Sequence, residues 1–217
     1  MRDLLVTGTD TGVGKTMVAA ALITALRARG VRAVGFKPVE TGLVTGDEPD
    51  SVVLARASGE VNNLTQPLLQ LGEPLAPAVA AERARVTLDT DLMEARIAQL
   101  RREGYTLVVE GAGGVMVPFT WEYTALDLAH ACSLDAVIVA RAGLGTLNHV
   151  AMTVMMLRSR EIPIRAVVLN GRTSNPDTAE LTNPAALARM LQGIRIVEIP
   201  YHPTASTAAV SVMDRVL

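Results

Sequence analysis

The chain has 217 residues, 49% of them hydrophobic, with mean hydropathy +0.30, formal net charge -2 and a sequence pI of about 5.9. These values fit one α/β domain over residues 1–217 that buries a sizeable core. They exclude a membrane-spanning protein, because charges interrupt every apolar run, and with no basic field they exclude nucleic acid as the main partner.

Leu4-Leu5-Val6 reads as a strand, Gly8-Thr9-Asp10-Thr11-Gly12-Val13-Gly14-Lys15-Thr16 as a glycine-rich turn, and Met17 to Leu22 as the start of an amphipathic helix. That order suits a phosphate-binding loop. Glycines let backbone N–H groups converge on phosphate oxygens, and the first helical turn adds unpaired N–H groups and a positive dipole end. Lys15 is expected to reach the outer phosphates, and the Thr16 hydroxyl to ligate a Mg²⁺ bridging them. The spacing departs from the usual pattern, with five residues rather than four between Gly8 and Gly14. An ordinary strand-to-helix turn is the plainer alternative. Met1-Arg2-Asp3 leads straight into the strand without an apolar leader, so a cytoplasmic location is expected, and the single Cys132 agrees with it.

Of the 20 lysines and arginines, only Lys15 and Lys37 are lysine. Lysine offers a compact, mobile ammonium where arginine offers a planar fork, so Lys37 is a site candidate on the same footing as Lys15. It follows a second predicted strand, Arg32 to Phe36, and opens Lys37-Pro38-Val39-Glu40-Thr41-Gly42. In a doubly wound sheet, ligands bind at the carboxyl ends of strands, which would turn Lys37 and Thr41 toward the phosphate loop. Asp50 precedes an apolar helical stretch and has two readings, a helix N-cap or a metal carboxylate.

Residues 60–74 carry little pattern. A short helix is expected over Leu75 to Glu82 and a clearer amphipathic one over Asp89 to Glu103. Tyr105 to Val109 reads as a buried strand delivering Glu110 at its tip, placed like a carboxylate for Mg²⁺, before Gly111-Ala112-Gly113-Gly114. Phe119, Trp121 and Tyr123 read as cover for a core edge. Asp135 to Ala140 is a further strand; Gly143 to His149 then starts a helix rich in Met152, Met155 and Met156, a stripe suited to a core or a subunit interface. The start of that helix could bind an anion. Ile164 to Leu169 is a strand ending at Asn170, a helix is expected to start at Asn183-Pro184, Ile194 to Pro200 closes the sheet, and a final helix is expected over 204–217.

The alternation predicts a doubly wound, mainly parallel α/β sheet with helices on both faces, of the P-loop NTPase type. Two lysines, a hydroxyl and two acidic residues then gather at its carboxyl edge, equipment for a nucleotide γ-phosphate. Phosphate activation of an acceptor is the leading enzyme class. The competing class is a P-loop switch or partitioning ATPase, whose signature lysine inside the loop corresponds here to Asp10.

Four segments in order, Gly8 to Thr16, Lys37 to Gly42, Val109 to Gly114 and Leu144-Gly145-Thr146-Leu147-Asn148-His149, together resemble dethiobiotin synthetase. The resemblance implies ATP-dependent conversion of 7,8-diaminopelargonate and CO₂ to dethiobiotin in biotin synthesis, through a carbamate whose oxygen attacks the γ-phosphate and a mixed anhydride closed by the second amine. It implies Lys15, Lys37 and Thr11 as catalytic residues. The nucleotide would lie on Gly12, Val13, Gly14, Lys15, Thr16, Met17, Glu110 and Gly113, with Asn170 and the backbone at Pro200 near the base. Mg²⁺ would be held by Thr16, Asp50 and Glu110. Thr41 would meet the diamine, and Gly145, Thr146, Leu147 and Asn148 its carboxylate tail across a homodimer interface. Gly12 stands where some relatives carry Glu, so no acid–base duty falls there, and ATP, CTP and other nucleotides stay open. Another relative in chemistry, a cobyrinic acid a,c-diamide synthase-like amidoligase, would need a glutamine-hydrolysing domain and a nucleophilic cysteine, which a lone Cys132 in a chain of this length does not supply.

Overall fold

Short apolar runs alternate with amphipathic segments, and the chain folds accordingly into strand–helix units. The computed structural model describes residues 2–43, 48–59, 65–201, 207, 210, 211 and 213–217. In chain order the first elements are β1 (Leu4–Gly8), α1 (Lys15–Ala28), β2 (Ala33–Phe36), β3 (Val39–Thr41), α2 (Asp50–Ser58), β4 (Leu69–Leu71), α3 (Pro77–Ala84) and α4 (Thr90–Arg102). There follow β5 (Thr106–Gly114), β6 (Pro118–Thr120), β7 (Tyr123–Thr124), α5 (Ala125–Ala131), β8 (Asp135–Arg141), α6 (Thr146–Ser159), β9 (Ile164–Asn170), α7 (Thr178–Met190) and β10 (Arg195–Glu198).

Six strands form one parallel sheet in the order β10-β9-β8-β1-β5-β2. Being covered on both sides, they read as continuous apolar runs rather than alternating ones. One face packs Val18, Leu22 and Leu26 of α1, Leu54 of α2, and Met213 and Val216 into a core. The other packs Met93 and Ile97 of α4, Leu128 of α5, Val154 of α6 and Leu187 of α7. Local signals agree with the packing. Asp89 caps α4 by accepting from Leu92 N, and Thr124 and Asp127 form a reciprocal capping box on α5, arrangements worth about 1 kcal/mol each. No described helix is long and apolar enough to cross a membrane.

Several expectations need correction. Helix α7 starts after Asp177, whose carboxylate accepts from Glu180 N, and Pro184 lies inside the helix rather than at its start. Asn183, just before Pro184, is buried and donates to the carbonyls of Ala142 and Gly143, docking the helix at this point. Strand β5 runs on through the glycines to Gly114, so Glu110 sits within the strand and not at its tip. The two-stranded pairs β3–β4 and β6–β7 have no counterpart in the sequence reading. Phe119 is buried as expected, whereas Trp121 is exposed and Tyr123 donates to Glu94. Of the expected final helix, Thr207, Val210 and Ser211 are helical and Met213–Arg215 forms a 3-10 turn, while 204–206, 208, 209 and 212 lie outside the described residues.

Candidate active site

Register assembles the site. Val6 pairs with Glu110 across β1 and β5, and Phe36 pairs with Val109 across β2 and β5. Lys37, the next residue after Phe36, therefore comes level with Glu110, and both stand beside the turn that leaves β1. Lys37 Nζ donates to Glu110 Oε1 at 2.9 Å and to Asp50 Oδ2 from the first turn of α2. Thr16 Oγ1, on the first turn of α1, donates to the same Glu110 oxygen at 2.9 Å.

The turn from Thr9 to Gly14 is shaped by its own contacts. Thr9 N donates to Val139 O, Arg141 donates to Asp10 Oδ2 and Thr11 O, and Asn170 Nδ2 donates to Val13 O at 2.9 Å. Gly14 has φ +94° and a Cβ there would lie 2.2 Å from Asn170 Nδ2, so only glycine fits. Gly8 is required by approach: its Cβ would lie 2.6 Å from the Asp10 carbonyl.

A cavity of about 460 Å³ opens over this turn. Thr11, Gly12, Gly14, Lys15, Thr16, Lys37, Thr41, Asp50, Glu110 and Gly113 line it, with Pro74 to Pro77 as the opposite wall. Ten of the sequence-derived site residues thus converge on one space. Val13 is buried beneath it, and Met17, in the first turn of α1, packs against the core on that face. Asn170 lies at the carboxyl end of β9, on the turn's far side, and Pro200 is exposed beyond β10. Gly145, Thr146, Leu147 and Asn148 do not reach this cavity within one chain; they form the start of α6. There Thr146 Oγ1 is buried without a hydrogen-bond partner.

Burial sharpens the electrostatics. It pushes the Lys15 ammonium below the ordinary lysine pKa; Glu110 counters the effect and nearby Lys37 adds to it. For Lys37 burial acts the same way, but the carboxylates of Glu110 and Asp50 outweigh it and raise the value. Burial raises Glu110 against the pull of Lys37. Its second oxygen, Oε2, is buried with no partner, an acceptor of the kind a hard cation satisfies. One hydroxyl and two carboxylates on this cavity suit Mg²⁺ better than a nitrogen- or sulfur-seeking metal. Among the described residues no group of three His, Cys, Asp or Glu gathers to hold a metal. Asp50 is the first residue of α2 and not its N-cap, which is Pro49, and its side chain lines the cavity.

The residue that sequence reasoning passed over is Glu40. It lies in the Lys37 to Gly42 segment beside Thr41, but its carboxylate faces away from the cavity, as strand alternation alone indicates.

Fold and site together define a P-loop nucleotide-binding α/β protein. A family model described as an AAA domain matches residues 2–209. The ATP-dependent dethiobiotin synthetase BioD of Anaeromyxobacter dehalogenans is 45% identical over 206 residues, covering 94% of this chain and 92% of that protein. The protein of the same name from Mycobacterium leprae is 42% identical over 193 residues, covering 88% and 84%. The chain belongs to the ATP-dependent dethiobiotin synthetase family. Among solved structures, the cell division ATPase MinD of Pyrococcus furiosus matches with TM-score 0.60 at 18% identity, covering 100% of this chain and 98% of that one. MinD of Pyrococcus horikoshii, complexed with Mg-ADP, matches with TM-score 0.59 at 17% identity, covering 97% and 86%. At those identities the partitioning-type ATPases share the fold alone; the chain is an enzyme of the synthetase family.

Proposed function

We propose that the chain acts as one P-loop NTPase-like domain over residues 1–217 that closes the ureido ring of dethiobiotin from 7,8-diaminopelargonate, CO₂ and ATP. The observation that carries this reading is the pair of buried lysines facing a cavity over the phosphate-binding turn, one of them bridging Asp50 and Glu110. One amine of the diamine adds to CO₂ and loses a proton, giving a carbamate. A carbamate oxygen attacks the γ-phosphorus, the bond to the β-phosphate oxygen breaks, and ADP leaves. The second amine attacks the carbonyl carbon of the resulting carbamic–phosphoric anhydride; phosphate departs, a proton is lost and the ring closes.

The hard step brings two anions together. Lys15 and Lys37 offset that repulsion in a site where burial strengthens each charge. Thr11 and Thr41 border the same space and orient phosphate and diamine. Thr16, Asp50 and Glu110 would hold Mg²⁺, which when bound spreads the transferred phosphoryl charge. Asn170, at the end of β9 and bonded to the Val13 carbonyl, is assigned to the base.

The substrate's carboxylate tail is assigned to Gly145, Thr146, Leu147 and Asn148 at the start of α6, where an unpartnered buried hydroxyl adds to the N–H groups of the first turn. Since those residues lie outside the cavity of their own chain, a second copy supplies them. An apolar cavity of about 570 Å³ beside the site supports such pairing. It is lined by Met116, Val117, Met152, Met155 and Met156 among others, and Val117 is also a wall of the phosphate cavity. The enzyme is read as a cytoplasmic homodimer acting on small molecules, without a nucleic-acid or membrane partner. The test is direct: purified protein with diaminopelargonate, bicarbonate, Mg²⁺ and each of four nucleoside triphosphates should yield dethiobiotin, nucleoside diphosphate and phosphate. No product with nucleotide bound would return the chain to the nucleotide-switch reading.

A further inference from the structure

Strand β3 places Val39 and Thr41 on the cavity and turns Glu40 the other way, where it is only 3% exposed. A buried carboxylate must be satisfied or it costs several kcal/mol, on the order of an unpaired interior charge. Three neutral donors meet it. Ser51 N donates to Oε1 at 3.1 Å, Ser51 Oγ to Oε2 at 2.7 Å, and Gln70 Nε2 to Oε2 at 3.1 Å.

Each donor belongs to an element that delivers part of the site. Ser51 lies in the first turn of α2, next to Asp50. That helix has Pro49 at its N-cap and no side-chain cap of its own. Glu40 therefore supplies from another element both the acceptor and the negative charge that a helix start favours. Gln70 is the direct register partner of Glu40 across β3 and β4. Beyond β4 the chain runs into Pro74 to Pro77, the far wall of the cavity. The opposite end of α2 is tied separately: Ser58 Oγ accepts from Gly35 N at 3.0 Å and donates to Leu54 O at 2.7 Å. The body of α2 thus rests on β2, while Glu40 alone among these contacts sets the end that carries Asp50.

We propose that Glu40 is a positioning residue that holds the first turn of α2, and with it Asp50, against Lys37, and that locks the β4 wall to the same point. The proposal rests on the reading of the cavity as a metal–nucleotide and diamine site. It separates Glu40 from the phosphate turn, which is held by its own contacts to Val139, Arg141 and Asn170.

The test measures Mn²⁺ affinity of the protein–ADP complex by electron paramagnetic resonance, ADP affinity without divalent ion, and thermal melting, on the full chain. Glu40→Ala should weaken Mn²⁺ by at least roughly 10-fold while metal-free ADP affinity stays within about two-fold of wild type, the pattern of an outer hydrogen bond that orients a ligand. Glu40→Gln, which keeps an acceptor for Ser51, should recover most of the Mn²⁺ affinity, and Ser51→Ala should move it in the same direction as Glu40→Ala by less. In steady state the apparent Mg²⁺ requirement and the diamine KM should rise more than the loss in kcat. Unchanged Mn²⁺ affinity in folded Glu40→Ala overturns the proposal, and so does a metal-free ADP loss that keeps pace with the Mn²⁺ loss. If Glu40→Ala does not fold, Ser51→Ala decides by the same two comparisons. Absence of dethiobiotin from the wild type would overturn the proposed reaction and leave the Mn²⁺ comparison intact, so the two failures are distinct.

Discussion

Lys37 Nζ lies 2.9 Å from Glu110 Oε1, and the same ammonium also donates to Asp50, so in the free protein one lysine bridges both carboxylates proposed for the metal. A cation that pairs with those carboxylates in the free protein can turn toward phosphate when a metal takes them over. Arginine cannot substitute: its fork is larger, planar and directional, and the ammonium fits a space where both lysine and Glu110 are buried. Lys37→Arg should therefore lower turnover by at least roughly 10²-fold, comparable to deleting one preorganised charge donor, with nucleotide affinity changed far less. Near-normal turnover in a steady-state assay would remove Lys37 from the mechanism.

Asn170 makes a second prediction, through the direction of its amide. The Val13 carbonyl can only accept, so the NH₂ group faces it, at 2.9 Å, and the amide oxygen is the atom left for a ligand. An acceptor at the base position favours the 6-amino group of adenine and the 4-amino group of cytosine over the carbonyls that guanine and uracil carry at those positions. ATP and CTP should support product formation at lower KM than GTP and UTP. Asn170→Asp removes the donor and sets a carboxylate against a carbonyl, so KM for ATP should rise about 10-fold, the cost of an unsatisfied acceptor. Equal KM values for all four nucleotides would show that Asn170 serves the turn and not the base.

How far these features were legible depends on whether their cause is local. The phosphate turn and both lysines could be read because spacing and residue type carry their chemistry. Glu110 could be read as a site carboxylate, but not its depth in β5, because strand length there depends on pairing with β1 through Gly114, a contact about a hundred residues away in sequence. Asp50 is ambiguous in sequence for a similar reason: a carboxylate at a helix start caps by default, and only Lys37, brought in from the end of β2, shows it paired in the cavity instead. Pro184 misled because proline usually opens a helix, whereas Asp177 had already capped this one and Asn183 docks it. The β3–β4 pair was invisible since each strand has only three residues, too short for periodicity to register.

Cys132 ends α5 and is buried. Burial, with the Glu94 carboxylate adding to it, pushes its thiol from 9.0 up to about 11. The stability tied to the neutral thiol is fully present below 9.0 and is lost as pH rises from there through about 11. Since the thiolate is the nucleophile, alkylation of the native protein at pH 8 should be at least roughly 10-fold slower than that of the urea-unfolded chain. Equal rates, followed by mass spectrometry, would mean that the thiol is open to solvent. Cys132→Ala should leave turnover unchanged, in keeping with a packing role.

The proposed second copy makes the last prediction. Met155 is 70% exposed and Met152 51%, side by side on α6 and next to the apolar cavity, with Met116 50% exposed across it. A patch of that kind on a lone chain exposes apolar surface that association would cover, and α6 is also the helix whose start carries Thr146. Met155→Glu places a charge in the centre of the patch without touching the phosphate cavity of its own chain. Light scattering should find the wild type as a dimer and Met155→Glu as a monomer, folded by circular dichroism but melting lower because association no longer stabilises it. If the other copy holds the carboxylate tail as proposed, the variant keeps ADP binding while its diamine KM rises at least roughly 10-fold, the equivalent of losing about one charge-assisted hydrogen bond. A fully active monomer would place the whole substrate within one chain and require another anchor for its tail.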